Sequence, residues 1–127
     1  MNNEPQRKAR EAAAYLREEG NKVFKERGIN GRLYGRTIVH VYFGPIEFEP
    51  TDEISPPTRD VKKIVSPESM PIKNLLGLHL FHRGVATMGG RNFIMSAAHS
   101  KKDIDQTIDA LASSLDDMLA EGVFQNI

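Results

Sequence analysis

The segment Thr37-Ile-Val-His-Val-Tyr-Phe43, which ends at Gly44-Pro45, decides the fold class. It is rich in β-branched and aromatic residues and is followed by a turn signal, so it predicts a β-strand. Its alternating residues are mostly apolar on both faces, and we therefore expect protein to cover both sides of the strand.

A long helix is predicted upstream of this strand, from Glu4 to Arg27, with Gly28 just beyond its end. Its apolar positions form one stripe, made of Ala9, Ala12, Ala13, Leu16, Val23 and Phe24. Gly20 interrupts the stripe at a cost of about 1 kcal/mol relative to Ala, so we expect a close backbone or a bend there. The stripe has few large side chains, and the helix therefore needs a partner surface. Three glycines between helix and strand indicate a turn-rich connection: Gly28, Gly31 and Gly35.

A long Pro-rich loop is predicted at residues 44–71, which hold six of the seven prolines. A loop of this length in a small domain is usually a functional lid or a mobile segment. Val61, Ile64 and Val65 are spaced for one short anchoring turn within it.

The chain then resumes as a helix from Ile72 to Arg83, with Gly84 as its stop. A short extended piece from Val85 to Met88, a Gly89-Gly90 turn and a strand from Asn92 to Ser96 follow.

The last helix begins with a sequence typical of a capping box, Ser100 with Asp103 three residues later, and ends at Gly122. Its apolar stripe consists of Ile104, Ile108, Leu111, Leu115, Met118 and Leu119. The remaining acidic residues predict a solvated face, formed by Asp105, Asp109, Asp116 and Asp117. The element order predicts one α+β domain over residues 1–127, a small antiparallel sheet of about three strands covered by helices.

Composition excludes several function classes. The chain has 127 residues, 17 basic and 17 acidic, so the basic excess that drives non-specific nucleic-acid binding is absent. It has no cysteine, which removes disulfides and thiolate zinc sites. No segment has the apolar length of a signal peptide or a membrane span. We therefore expect a cytoplasmic protein that binds neither nucleic acid nor membrane.

The segment from Met88 to Ser100 is the strongest candidate for ligand binding. Gly89 and Gly90 leave backbone amides accessible, and Arg91 carries a guanidinium suited to a carboxylate or phosphate. A plain hairpin turn with a solvated Arg91 is the alternative.

The histidines provide weaker candidates. His79 and His82, three apart on a helix, have the spacing for a shared metal ion, although ordinary helix packing explains them better. His40 fits a hydrogen-bonded structural histidine better than a catalytic base. The sequence contains no nucleophile elbow, zinc-protease motif, phosphate loop or dinucleotide fingerprint.

A family resemblance spans residues 75–122. The runs Leu-Leu-Gly-Leu-His-Leu-Phe-His-Arg-Gly-Val, Phe-Ile-Met-Ser-Ala-Ala-His-Ser and Asp-Ile-Asp-Gln-Thr-Ile-Asp-Ala-Leu carry it. Together they resemble the C-terminal small domain of class III (fold type I) aminotransferases, which depend on pyridoxal phosphate (PLP). Within that family they are most similar to glutamate-1-semialdehyde 2,1-aminomutase.

The resemblance implies an enzyme that transfers or exchanges an amino group, either a transaminase or an isomerase. This chain would close the substrate entrance, with Arg91, Asn92 and Ser96 as candidate substrate-binding residues. The Schiff-base lysine and the PLP site would belong to a large domain that is its partner, since no lysine here lies in a matching segment. The resemblance therefore implies no catalytic, cofactor or metal residue in this chain, no cofactor bound by it alone, and a homodimeric, cytoplasmic parent enzyme.

Two features depart from the family pattern. The approach to the Phe-Ile-Met-Ser strand is about two residues shorter than in the aminomutases, and Gly89-Gly90-Arg91 replaces their Pro-Ser-containing sequence. The position of the usual carboxylate-binding arginine holds Ile94, which makes Arg91 a neighbouring candidate.

Two other functions stay open at this point. One is a stand-alone, non-catalytic α+β module for interaction or dimerisation through the first helix and the strand. The other is a regulatory domain that binds a small anion at Arg91 and the Gly89-Gly90 amides.

Overall fold

The computed structural model describes residues 4–49, 55–64, 69–85, 87, 92–94 and 100–124. Four helices and three strands alternate along the chain: α1 (Glu4–Glu26), β1 (Gly31–Tyr34), β2 (Ile38–Phe43), α2 (Val61–Ile64), α3 (Met70–His82), β3 (Asn92–Ile94) and α4 (Lys101–Ala120). The strands form one antiparallel sheet in the order β1-β2-β3. The α+β class, the long N-terminal helix and the amphipathic C-terminal helix are confirmed.

The core lies between the sheet and the layer formed by α1, α3 and α4. One face of β2 contributes Val39, Val41 and Phe43, all of them buried, as the alternation predicts. The fully buried side chains of the helix layer that meet them include Leu16, Phe24, Leu76, Leu80, Leu111 and Leu115. Burying side chains of this size stabilises the fold by about 1.5–3 kcal/mol each.

The opposite face of β2 is covered at one end only. Tyr42 is fully buried there, and its hydroxyl donates a hydrogen bond of 2.7 Å to the Pro45 carbonyl in the segment that follows the strand. Ile38, at the other end, is 44% exposed. The expectation that both faces are covered is therefore correct for Tyr42 and wrong for Ile38.

Strand β1 corrects the sequence-based prediction of a turn-rich connection. Gly28 and Gly35 lie in turns at φ of 64° and 119°, as predicted, whereas Gly31 begins a strand that pairs with β2 from Gly31–Phe43 to Tyr34–His40. A Cβ at Gly31 would lie 2.7 Å from Phe24 and 3.0 Å from Phe43. Glycine is needed here because two aromatic rings pack against the backbone.

The long loop is partly folded where it is described. The backbone amides of Glu47 and Phe48 both donate to the Pro57 carbonyl, and Val61–Ile64 forms the short helix α2, in line with the predicted anchoring turn. Helix α3 begins at Met70, two residues before the predicted start, with Pro71 in its first turn. Val85 and Thr87 belong to no paired strand, and the rest of the predicted extended piece, Val65 and the Gly89-Gly90 turn lie outside the described residues.

Helix α4 has the predicted capping box, with Ser100 and Asp103 each bonding the other's backbone amide. Its stripe is buried at Ile104, Leu111, Leu115 and Met118. Gly84 and Gly122, at φ of 86° and 77°, end α3 and α4 in the left-handed conformation that favours glycine.

The predicted acidic face of α4 is exposed at Asp109, Asp116 and Asp117, and three of its four carboxylates also contact residues outside α4. Asp105 accepts a hydrogen bond of 2.7 Å from the Tyr15 hydroxyl of α1. Asp116 accepts two from Arg27, at 2.6 and 3.2 Å, and Asp117 accepts one from Arg83. Acidic residues that lie off the apolar stripe thus fasten α1 and the end of α3 to α4.

Candidate functional site

The predicted substrate-binding residues lie at and around β3. Asn92 begins this strand, and its Cα partner in β2 is His40. Arg91 and Ser96 lie outside the described residues, and for Asn92 only the backbone is described. The structure therefore places one of the three candidates, and it anchors that residue to the central strand of the sheet.

Three residues occupy one row across the sheet: Tyr34 in β1, His40 in β2 and Asn92 in β3. The rings of Tyr34 and His40 stack at 5.2 Å between centroids, tilted by 30°. Sequence reasoning missed this row because β1 was not predicted. The Gly31-Arg-Leu-Tyr34 stretch, with an apolar and an aromatic residue next to each other, is the only local signal for this strand, and it is a weak one.

The environment of His40 favours a neutral imidazole. Burial, and secondarily the positive charge of Lys73, lowers its pKa below the ordinary value. Burial likewise raises the pKa of Tyr34. This row can therefore donate or accept hydrogen bonds without carrying charge at neutral pH, which agrees with the structural interpretation of His40.

Lys73 is a buried lysine on α3. Its exposure is 7%, and its ammonium donates to the Ile64 carbonyl of α2 at 3.4 Å. The other lysines whose side chains are described are exposed. Because its ammonium bonds to a backbone carbonyl, Lys73 does not fit the binding of PLP.

A groove of about 410 Å³ lies between α1, β1 and the segment after β2. Four cationic side chains line it: Arg17, Lys22, Lys25 and Arg32. Glu49 lies 2.9 Å from Arg32 and 3.8 Å from Lys25, and its pKa is lowered, chiefly by the hydrogen bond from Arg32. The carboxylate partner of Arg32 in this groove thus comes from the chain itself.

The structure does not bring His79 and His82 together as metal ligands. His79 faces α4, with Nε2 3.4 Å from Glu121 and Nδ1 3.9 Å from Asp117, whereas His82 is exposed. Within the described ranges, no three histidine or carboxylate side chains are grouped to hold a metal ion. The packing interpretation of these histidines is the better one.

Helix α3 exposes two large apolar side chains on the face turned away from the core. Leu78 is 67% exposed and Phe81 is 73% exposed. Together with Leu75, His79 and His82 they line a shallow hollow of about 680 Å³. These five residues are called the α3 patch below. None of the helices in the described part of the chain has the length and apolar character needed to cross a membrane.

Comparisons with known proteins place the fold. No family model and no curated protein matches the chain. Among solved structures, a β-phenylalanine aminotransferase from Variovorax paradoxus and an ω-transaminase from Sphaerobacter thermophilus each match with a TM-score of 0.70 and 17% identity over 87% of this chain. A transaminase with PLP bound matches with a TM-score of 0.67 and 17% identity over 91% of it.

The match covers only a part of those proteins. The chain spans 24%, 23% and 24% of their respective lengths. At this identity the likeness concerns the fold, and it is specific to neither the aminomutase nor any substrate. The chain therefore has the fold of about a quarter of a PLP-dependent transaminase of the class III type.

Proposed function

We propose that this chain acts as the small C-terminal domain of a PLP-dependent class III aminotransferase, or of an enzyme like glutamate-1-semialdehyde 2,1-aminomutase, and closes its substrate entrance. The observation that carries the proposal is the fold match, a TM-score of 0.70 over 87% of the chain, to two transaminases. The parent enzyme is proposed to be cytoplasmic and homodimeric.

The division of labour follows from what the described residues provide. The Schiff-base lysine and the cofactor site are proposed to belong to the large domain. The bond from the buried Lys73 to the Ile64 carbonyl is consistent with this division. What remains for this chain is to bind and orient substrate, and to exclude water when the entrance closes.

The substrate contacts are proposed at β3 and its approach. Asn92 is fixed by pairing with His40 on the central strand, and Arg91 immediately precedes it. A guanidinium is suited to a substrate carboxylate because it can form two parallel charge-assisted hydrogen bonds with it. Asn92 and Ser96 would supply further hydrogen bonds.

The first test is the intact mass of the native protein in its source, measured with an antibody against this domain. A species several times heavier than 14.2 kDa that carries PLP supports the proposal. A native species of 14.2 kDa that lacks any large-domain partner contradicts it.

The second test is Arg91→Ala in the native enzyme. Loss of a charge-assisted pair costs roughly 1.5–3 kcal/mol, so kcat/KM should fall by roughly 10-fold to 100-fold. Arg59→Ala, at an exposed arginine that stacks on Phe48, is the matched control and should leave kcat/KM unchanged. An unchanged kcat/KM for Arg91→Ala would remove Arg91 from the proposed site.

A second candidate function is a stand-alone, non-catalytic module that works by interaction or dimerisation. The exposed Leu78 and Phe81 side chains favour it, because exposed apolar patches commonly mark binding sites. Stable dimers of the isolated chain in analytical ultracentrifugation, with a native mass of 14.2 kDa, would support this function over the first.

A further inference from the structure

We infer that the α3 patch is the surface through which this chain docks onto the rest of the transaminase-like enzyme. The inference rests on the proposed function and adds to it the contact surface. Its occupant is the part of the fold that this chain does not contain, about three quarters of the matching transaminases, of which the chain spans 24%.

The patch is apolar where a free surface would be polar. Leu78 and Phe81 lie three residues apart and therefore share one face of α3, directed away from the buried residues Ile72, Leu76 and Leu80. Helix α3 contains no acidic residue at all. Two large apolar side chains exposed side by side commonly mark an interaction surface, so this face of α3 indicates a missing neighbour.

The size of the patch favours a tethered partner over a second copy of the chain. Leu78 and Phe81 together expose on the order of 250 Å² of apolar surface. A stable interface between free proteins buries roughly 800 Å² on each partner. Contact within one enzyme needs less area, because a linked partner is present at an effective concentration of roughly millimolar.

On one side of the patch, the polar side chains already have partners within the chain. His79 faces Asp117 and Glu121 of α4, and Arg83 donates to Asp117. The side of the patch near α4 is thus closed by ion pairs within the chain. The occupant is therefore expected to be an apolar surface with polar groups near His82, rather than a charged one.

The test uses the absence of cysteine from the chain, since one introduced thiol reports on one place. Leu78→Cys places the probe in the patch. Ser113→Cys, on the exposed side of α4, is the control and is nearly the same size as the native residue. Each variant is reacted with a thiol-specific fluorophore, both as the isolated chain and in the complete native enzyme.

The rate of labelling decides the inference. Leu78→Cys should react readily in the isolated chain and at least roughly tenfold more slowly in the native enzyme, while Ser113→Cys reacts equally in both. Equal rates for Leu78→Cys in both forms would overturn the inference. A second result would also overturn it: in the isolated chain, Leu78→Cys becomes more protected from labelling as the protein concentration rises, and ultracentrifugation shows dimers. The occupant of the patch would then be a second copy of the chain. Failure of the proposed function itself would be detected separately, by a native mass of 14.2 kDa without a large-domain partner.

Discussion

The side-chain amide of Asn21 forms hydrogen bonds with both backbone groups of Leu33. Its Nδ2 donates to the Leu33 carbonyl at 3.1 Å, and its Oδ1 accepts from the Leu33 amide at 2.7 Å. Arg17 donates to the Gly35 carbonyl at 2.8 Å, one step farther along β1. Side chains of helix α1 therefore form the hydrogen bonds that a neighbouring strand would otherwise form with the backbone at this edge of the sheet.

Asn21→Ala should destabilise the fold by about 1–3 kcal/mol, because it leaves a buried donor and a buried acceptor of Leu33 without partners. Urea unfolding monitored by circular dichroism measures the loss, and hydrogen exchange of the Leu33 amide should accelerate. Lys22→Ala, at the exposed neighbour, is the control and should change stability by less than about 0.5 kcal/mol. Equal stability of the two variants would contradict this role of Asn21.

Gly20→Ala should destabilise the protein even though Ala favours the helix by about 1 kcal/mol. A Cβ at Gly20 would overlap the buried Leu33 side chain and lie 3.4 Å from Leu111, and such overpacking costs about 1–3 kcal/mol. The net loss should be about 1 kcal/mol in denaturant unfolding. The loss of stability caused by Gly20→Ala should be smaller in a Leu33→Val background, where the shorter side chain leaves room for the added Cβ. Additive effects of the two substitutions would show that this Cβ does not contact the side chain of residue 33.

Arg27 and Asp116 should couple by about 0.5–1 kcal/mol in a double-mutant cycle with alanine, because their two hydrogen bonds form a fork. The exposed Lys22–Glu19 pair on α1, at 3.1 Å, is the reference and should couple by about 0.3 kcal/mol.

The hydrogen bond from Arg27 lowers the pKa of Asp116 below its ordinary value of 3.8. The Arg27–Asp116 pair therefore contributes fully to the stability of the fold above about pH 3.8, and this contribution is lost as the pH falls through the lowered pKa of Asp116. A coupling between Arg27 and Asp116 no larger than that of the reference pair would contradict the prediction.

The three tyrosines should ionise at a higher pH in the folded protein than in the unfolded chain. The hydrogen bond to Asp105 raises the pKa of Tyr15 to about 12, and burial raises that of Tyr42 to about 12 and also raises that of Tyr34. Since folded-state pKa values exceed the ordinary 10.0, the stabilisation linked to them is complete below pH 10 and disappears as the pH rises towards 12.

Tyrosinate absorbance measures this titration directly. The native chain should titrate well above the urea-unfolded chain, and Tyr15→Phe should remove one of the late groups. Titration of all three tyrosines at their ordinary pKa in the folded protein would contradict the contacts of Tyr15 and Tyr42.

The elements that could be predicted from the sequence are those with a strong local signal. The apolar period of α1 and α4, the capping residues Ser100 and Asp103, and the β-branched run of β2 each determine an element without help from distant residues. Strand β1 escapes sequence-based prediction because its glycine serves tertiary packing: Gly31 makes room for the rings of Phe24 in α1 and Phe43 in β2.

The site was less accessible to sequence reasoning. Asn92 was identified correctly as the start of a strand, but its position opposite His40 depends on sheet register, which no local pattern specifies. The helical period of α4 predicts that its acidic residues face away from the core, but it does not reveal that Tyr15, Arg27 and Arg83 contact three of them. The roles of Arg91, Asn92 and Ser96 stay predictions.

The hydrogen bonds from α1 to β1 determine which edge of the described sheet can accept another strand. One border is closed by Asn21 and Arg17, so an incoming strand finds no unoccupied amide or carbonyl at Leu33 and none at the Gly35 carbonyl. The other border is β3. Among the described strands, the border at Asn92–Ile94 is therefore the one where a peptide or neighbouring strand is expected to extend this sheet, next to the proposed substrate contacts.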